Sequence, residues 1–334
     1  MSALLSRPVE VGDLEAFSLT SLTFGASVIP PTEDNSEATT IAAVEIDFTP
    51  FKLITEQTLE LDVTFVKPEI TVKQTPDQKW FTTKLTPQPP GAIAFKVKTL
   101  AIENGNAALY PRNRAGELEA PVNLTLPQLS SQFLDNNQRI PFQAKNLSVT
   151  NAQGSLDLEG EAHLENGEVE IALSSNQLAV AELARLVPSP LDISQGTLNA
   201  QTNISLPLDG SLPNFQGTAE LNNFEGKLNQ FTTAIENTNA KLQLAGQKII
   251  VENLNTQWGD INATAKGNIN LAQGYDLTAN VEPTPVAQLL SAIDIDPNKI
   301  PISGTIEANL AITGALDNPQ INITAKSTET TTVD

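Results

Sequence analysis

Cysteine is absent from this 334-residue chain. That excludes disulfides, thiolate metal sites and cysteine nucleophiles, and it suits an oxidising envelope compartment. Histidine occurs once, as His163 in "EAHLENGEV", so no Ser-His-Asp set can be built around it. Aromatics make up 5% of the chain, and apolar character rests on Ile, Leu, Val and Ala. Positive charge is scarce: 19 Lys+Arg stand against 39 Asp+Glu, a formal net charge of -20. The imbalance is -5 over residues 1–150 and -15 over 151–334. Such a chain repels nucleic acid and gains nothing from anionic lipid. No apolar run approaches the roughly 20 residues that span a bilayer, and Met1-Ser2-Ala3-Leu4-Leu5 lacks the parts of a signal peptide. The closing "KSTETTTVD" breaks off where the patterning resumes. The expectation is a soluble piece of a longer protein.

What is present is alternation. In "GTIEANLAITGALDNPQINITA" (Gly304–Ala325), Ile306, Ala308, Leu310 and Ile312 point one way, while Thr305, Glu307 and Asn309 point the other. Ile321, Ile323 and Ala325 continue the rule after a turn. Period 2 is the signature of strands with one apolar and one wet face. It recurs along the chain, with turns expected at Asn104-Gly105, Asn166-Gly167 and Gln273-Gly274. The spacing of about ten residues between turns predicts an antiparallel meander rather than βαβ units.

Three segments carry helical spacing instead. Val286, Leu289, Leu290 and Ile293 stand at i, i+3, i+4, i+7, with Thr284 as the expected cap and Pro285 in the first turn. Val180, Leu183, Ala184 and Val187 repeat the spacing, and Leu126, Leu129 and Phe133 give a weaker version. Leu129 to Leu183 is 54 positions and Leu183 to Leu289 is 106, so a further copy is expected near Glu236, traced faintly by Phe231 and Ile235. These segments suggest a degenerate array of helix-then-strands units that need stacking to bury their faces.

An apolar side chain left in water forfeits roughly 1.5–3 kcal/mol. Summed over many strands, that requires a cover. The sheet can pack on another sheet, coil into a solenoid, or curl into a gutter that meets a greasy ligand; the helices are too few and short to serve.

Several segments, taken together and in order, resemble the TamB family of the AsmA-like superfamily. "LLSRPVEVGDLEAFSLTSLTFG" (Leu4–Gly25) is similar to the opening that follows the membrane anchor in cyanobacterial-type members. "LDVTFVKPEITVKQTPDQKW" (Leu61–Trp80) and "LAIENGNAALYPR" (Leu100–Arg112) resemble AsmA-type strands. "ISQGTLNAQTNISLPLDGSLPNFQG" (Ile193–Gly217) and "ISGTIEANLAITGALDNPQINI" (Ile302–Ile323) resemble the repeated TamB pattern. The resemblance covers nearly the whole chain, as an N-terminal or middle fragment. It implies an AsmA-like β segment over residues 1–125, continuous with a TamB-like repeat segment over 126–334. The implied fold is all-β, an elongated antiparallel β-taco with an apolar groove.

By the same resemblance the function is lipid transport between inner and outer membranes, with phospholipid or glycolipid acyl chains in the groove. The setting is the periplasm, with an inner-membrane anchor in the full-length protein. A BamA- or TamA-type outer-membrane barrel is the implied partner, reached through parts of the protein outside this chain. The family is also linked to barrel assembly, and its chloroplast relative to protein import, so a scaffold or chaperone that pairs client strands on open sheet edges is the alternative.

The candidate groove residues are Ile46, Phe48, Leu61, Val63, Phe65, Phe95, Val97, Leu124, Leu156, Leu158, Val169, Ile171 and Leu173 in the first half. Leu198, Leu242, Leu244, Ile261, Leu277, Val281, Ile306, Leu310, Ile312, Ile321 and Ile323 follow in the second. The plainer reading of all of them is an ordinary dry core. His163 reads as a surface residue. "DIDPNK" (Asp294–Lys299) lacks the glycine and terminal glutamate of a calcium loop. Trp258-Gly259-Asp260 reads as a turn whose indole covers a sheet edge. No carboxylate pair stands out as a glycosidase would require. No catalytic residue, cofactor or metal site is expected.

Overall fold

The alternating segments form strands, and the computed structural model describes them at residues 8–31, 37–51, 55, 57–77, 80, 94–113, 115–186, 191–209, 211–228, 231–300, 302–316, 318–328 and 332–333. The chain is all-β and antiparallel in all but one pairing. It divides into two compact units, Met1–Val169 with Arg185–Pro188, and Glu170–Ala184 with Ser189–Asp334.

In the first unit, β1 (Leu14–Phe17) pairs with β2 (Ser21–Phe24). β2 and β3 (Ser27–Ile29) lie end to end along β4 (Ala38–Phe48). β4 pairs with β5 (Thr58–Lys73), and the ladder continues through β6 (Ala94–Tyr110), β7 (Val122–Gln132), β8 (Arg139–Val149) and β9 (Ser155–His163). The β5–β6 pair is parallel, which corrects the expectation of a pure meander. Apolar alternation specifies the buried face of a strand but not its direction. Ile29, Ile41, Val44 and Val63 form a buried cluster with Phe24, Ile46, Leu61, Phe65, Val97 and Leu100 against it.

The second unit holds most of β10 (Glu168–Ala179), then α1 (Val180–Ala184), β11 (Leu191–Pro207), β12 (Asn214–Leu228), β13 (Ala234–Gly246), β14 (Lys248–Trp258), β15 (Ile261–Asn270) and β16 (Gly274–Pro285). α2 (Val286–Ala292), β17 (Ile302–Ser303), β18 (Thr305–Gly314), β19 (Gln320–Ser327) and β20 (Thr332–Val333) complete it. From β11 onward each long strand pairs with the next, β16 with β18 directly, while β17 and β20 form a two-residue ribbon.

Two helices stand where the spacing predicts them, over Val180–Ala184 and Val286–Ala292. The cap of the second is Pro285 and not Thr284, whose hydroxyl donates to the Glu282 carbonyl at 2.7 Å. Val187 lies outside the described residues. The third helical segment is instead strand β7, which contains Leu126 and Leu129, and Ile235 likewise lies in strand β13. Turns do fall at Asn166-Gly167 and Gln273-Gly274, but Asn104-Gly105 lies inside β6.

These misreadings share a cause. Many strands contain a step of three between inward-facing residues: Phe65 to Pro68, Ile102 to Gly105, Ala144 to Leu147, Ser175 to Leu178, Leu221 to Phe224 and Ile235 to Thr238. In each, the residue just before the second inward one has positive φ: Lys67, Asn104, Asn146, Gln177, Asn223 and Asn237. These are β-bulges, which insert one residue, shift the side-chain phase and bend the strand. In the first unit they stand side by side, since Val66 pairs with Glu103, Glu103 with Gln128 and Gln128 with Lys145. Side chains from the next strand satisfy the freed amides. Asn146 N–H donates to Asp157 Oδ1 at 2.7 Å, Gln177 N–H to Asn199 Oδ1 at 2.6 Å, and Asn223 N–H to Asn239 Oδ1 at 3.1 Å. The seam therefore bends neighbouring strands together at mid-length while keeping their backbone groups paired.

Candidate functional site

Residues opposite one another in paired strands share a face, so the register of the second unit reads out a surface. One row runs Leu198, Leu221, Ala240, Leu254, Ala265, Ala279, Leu310, Ile323. The adjacent row runs Ala200, Ala219, Leu242, Val251, Gly267, Leu277, Ile312, Ile321. A third includes Leu244, Ile249, Ile269 and Tyr275. Apart from glycine, the first two rows are wholly aliphatic across eight strands, with no hydrogen-bond donor or acceptor in their side chains.

The opposite face is polar. Asn199, Glu220, Lys241 and Asn253 stand in register, with Lys241 Nζ 3.4 Å from Glu220 Oε1. Asn280, Asn309 and Thr324 form another such row. The sheet thus separates an aliphatic side from a hydrated one.

Burial grades along the apolar rows. Ala200, Ala219, Ala240 and Val251 are buried. Leu198, Leu221, Leu242, Leu254, Leu277, Leu310 and Ile312 are half-buried. Ile321 and Ile323 are 57% and 64% exposed, and β19 is exposed at all eight residues. The largest aliphatic side chains of these rows are therefore the ones only partly covered.

Of the residues singled out in the sequence, Val63 and Ile261 are buried, and Phe95, Ile321 and Ile323 are exposed. The others are half-buried. Ile46, Leu61, Val63, Phe65 and Val97 come together in the buried cluster of the first unit. Phe65 shares a row there with Val44, Ile102, Leu129, Ala144 and Leu158, and Leu124 lies opposite Ala107 and Val149. Leu198, Leu242, Leu244, Leu277, Leu310, Ile312, Ile321 and Ile323 belong to the rows of the second unit, with Val281 and Ala308 beside them. Sequence reading missed Leu221, Val251, Leu254, Ile249 and Ile269. Val251 and Leu254 straddle a register shift, so their spacing of three breaks the alternation.

One rim of the second unit is tied shut by polar contacts. Trp258 ends β14, its indole N–H donates to the Thr233 carbonyl at 3.1 Å, and its ring meets Phe231 edge-on at 5.3 Å. The Thr232 amide donates to Asp294 Oδ2 at 2.9 Å and the Thr232 hydroxyl donates to Oδ1. These two bonds, the hydroxyl's first, hold the Asp294 carboxyl below its ordinary range. Asp296 accepts the Asn298 amide at 3.0 Å. Both carboxylates of "DIDPNK" thus serve the local fold. An open depression of about 290 Å³ lies beside α2, lined by Thr233, Gly259, Asp260, Ala287, Gln288, Ser291 and Ala292. His163 is not solitary: its Nδ1 lies 3.6 Å from Glu161 Oε1, which also accepts from Arg139 Nε at 2.6 Å. Among the described residues no helix is long and apolar enough to cross a membrane.

No family model matches the chain, and no solved structure does. Over 138 residues, 40% of its length, the chain is 22% identical to Protein TIC236, chloroplastic, from Arabidopsis thaliana. It spans about 6% of the length of that relative.

Proposed function

We propose that the chain is part of a conduit that moves lipid between two membranes, its aliphatic face shielding acyl chains while headgroups stay in water. One observation carries the reading: uninterrupted aliphatic rows cross eight strands, and their large side chains are only half-buried. A dry core would cover them, at roughly 1.5–3 kcal/mol each. A surface built only for water would not present them in register. Acyl chains complete such a wall without requiring a hydrogen-bond donor, and contact of this kind gives weak selectivity and easy sliding.

The likeness to a chloroplast protein agrees with the TamB-type resemblance, which has a chloroplast branch. On this reading the full-length protein works in the periplasm, is anchored to the inner membrane and reaches a BamA- or TamA-type barrel through other segments. The chain performs no covalent chemistry. The exposed edge of β19 supports a second reading, pairing with strands of barrel clients.

Mass spectrometry of material extracted from the purified chain separates the two. Phospholipid or glycolipid in near-stoichiometric amount, with little headgroup preference, is the expected result. Barrel-protein peptides without lipid would support the strand-pairing reading and remove the conduit.

A further inference from the structure

The first unit has a second apolar feature that its core and its rows leave unused. Phe17 is 80% exposed, Leu19 89%, Phe51 69% and Phe95 57%. They share one rim. Ser21 pairs with Asp47 and Phe48 N–H donates to the Thr20 carbonyl at 2.8 Å, so the turn holding Leu19 stands beside the end of β4. Phe51 follows that end. Phe48 pairs with Leu61, which in turn pairs with Val97, and one step toward the start of β5, Leu59 pairs with Phe95. In a chain with 5% aromatics, three phenylalanines project from one end of one sheet.

The backbone around them is closed on itself. Ser18 N–H donates to the Ser21 carbonyl at 2.8 Å, Thr20 N–H donates to Ser18 Oγ at 3.1 Å, and the two serine hydroxyls bond each other at 2.7 Å. The Phe51 carbonyl accepts the Thr55 hydroxyl at 3.2 Å. A protein partner docking here would want a ladder edge or a groove, and these turn tips offer neither. A hydrocarbon medium demands polar groups satisfied from within, and these contacts supply that. The charges nearby are Asp13, Glu15, Asp47 and Glu60, with Lys96 directly opposite Glu60. The rim therefore has no attraction for anionic lipid.

We propose that this rim inserts shallowly into the headgroup–acyl boundary of a zwitterionic bilayer. Exposed apolar surface of this kind marks a protein or membrane contact, and the closed turns favour the membrane. The proposal does not depend on lipid transfer by the second unit.

Flotation of the full chain with phosphatidylcholine vesicles tests it. Wild-type chain should float, and a Phe17→Ser, Leu19→Ser, Phe51→Ser triple variant should bind at least tenfold more weakly with an unchanged circular dichroism spectrum. Adding phosphatidylserine should weaken wild-type binding. Because the chain has no cysteine, Leu19→Cys can be labelled uniquely with a polarity-sensitive dye. Its emission should shift to the blue on adding vesicles, while dye at Asn309→Cys should not respond. Leu310→Asp should float like wild type, which separates this proposal from the conduit. A wild-type chain that stays in solution, a triple variant that floats equally well, or an unresponsive dye at position 19 would overturn the insertion.

Discussion

Replacing Gly267 by alanine should lower the melting temperature of the second unit by about 6–12 °C. Gly267 lies in the apolar row between Val251 and Leu277. Its φ is +136°, and a Cβ there would run into the Asp276 carbonyl oxygen and come within 2.8 Å of Leu277 Cα. Both obstacles are backbone of the paired strand β16, so neither rotates away. Backbone strain of 1–3 kcal/mol adds to the clash, giving about 3 kcal/mol or more. Gly246 is the comparison, with φ +64° and open space where a Cβ would go. Gly246→Ala should therefore cost only about 1–2 kcal/mol, the left-handed penalty alone. Thermal unfolding followed by circular dichroism reads both, and equal shifts would show that close strand approach at Gly267 has no special weight.

The second large effect concerns lipid rather than stability. Leu310→Asp should abolish acyl-chain occupancy near β18 and reduce lipid transfer at least tenfold. Leu310 lies between Ala279 and Ile323, with Ala308 and Ile312 on the same face. A carboxylate facing hydrocarbon carries an unfavourable term of several kcal/mol. The same carboxylate can reach water in the lipid-free protein, because Leu310 is half-buried and its neighbour Ile323 is 64% exposed. The fold should survive, with a loss of about 1–3 kcal/mol from reduced apolar burial. Asn309→Asp, on the polar face opposite Asn280 and Thr324, should change neither transfer nor melting. A folded Leu310→Asp chain that transfers lipid normally would rule out a track through this position, and a chain that fails to fold would point to a dry core.

The sequence made the faces of the strands legible, because a period of 2 survives wherever pairing is regular. Leu277, Leu310, Ile312, Ile321 and Ile323 are on one face, as alternation predicts. Alternation breaks at the bulges. Leu126 and Leu129 stand three apart because β7 takes the same inward step of three in mid-strand, and a step of three is also the mark of a helix. Asn104-Gly105 looks like a hairpin turn because asparagine and glycine both favour positive φ, which a bulge needs as much as a turn does. In five of the six steps that end on a positive-φ residue, that residue is Asn or Gln, preceded by a polar or charged neighbour, as in Leu221-Asn222-Asn223-Phe224. That pattern is a readable signal once the seam is known.

Cover was not legible. Val63 and Ile261 are buried while Ile321 and Ile323 are exposed, yet all four sit in similar alternating strings. What differs is the number of strands stacked beyond each, and that is set by pairing far along the chain. The parallel pairing of β5 with β6 escaped for a related reason, since the residues within a strand do not encode the direction of its neighbour.

A photo-crosslinking amino acid placed in turn at Leu277 and Thr278, with the chain purified from lipid-containing cells, tests the central claim most directly. The two positions are adjacent on β16 and face opposite sides, Leu277 in the apolar row with Ile312 and Thr278 opposite Ala311. The conduit predicts acyl-lipid adducts at position 277 and almost none at 278. Equal labelling at both positions, or none at 277, would contradict it.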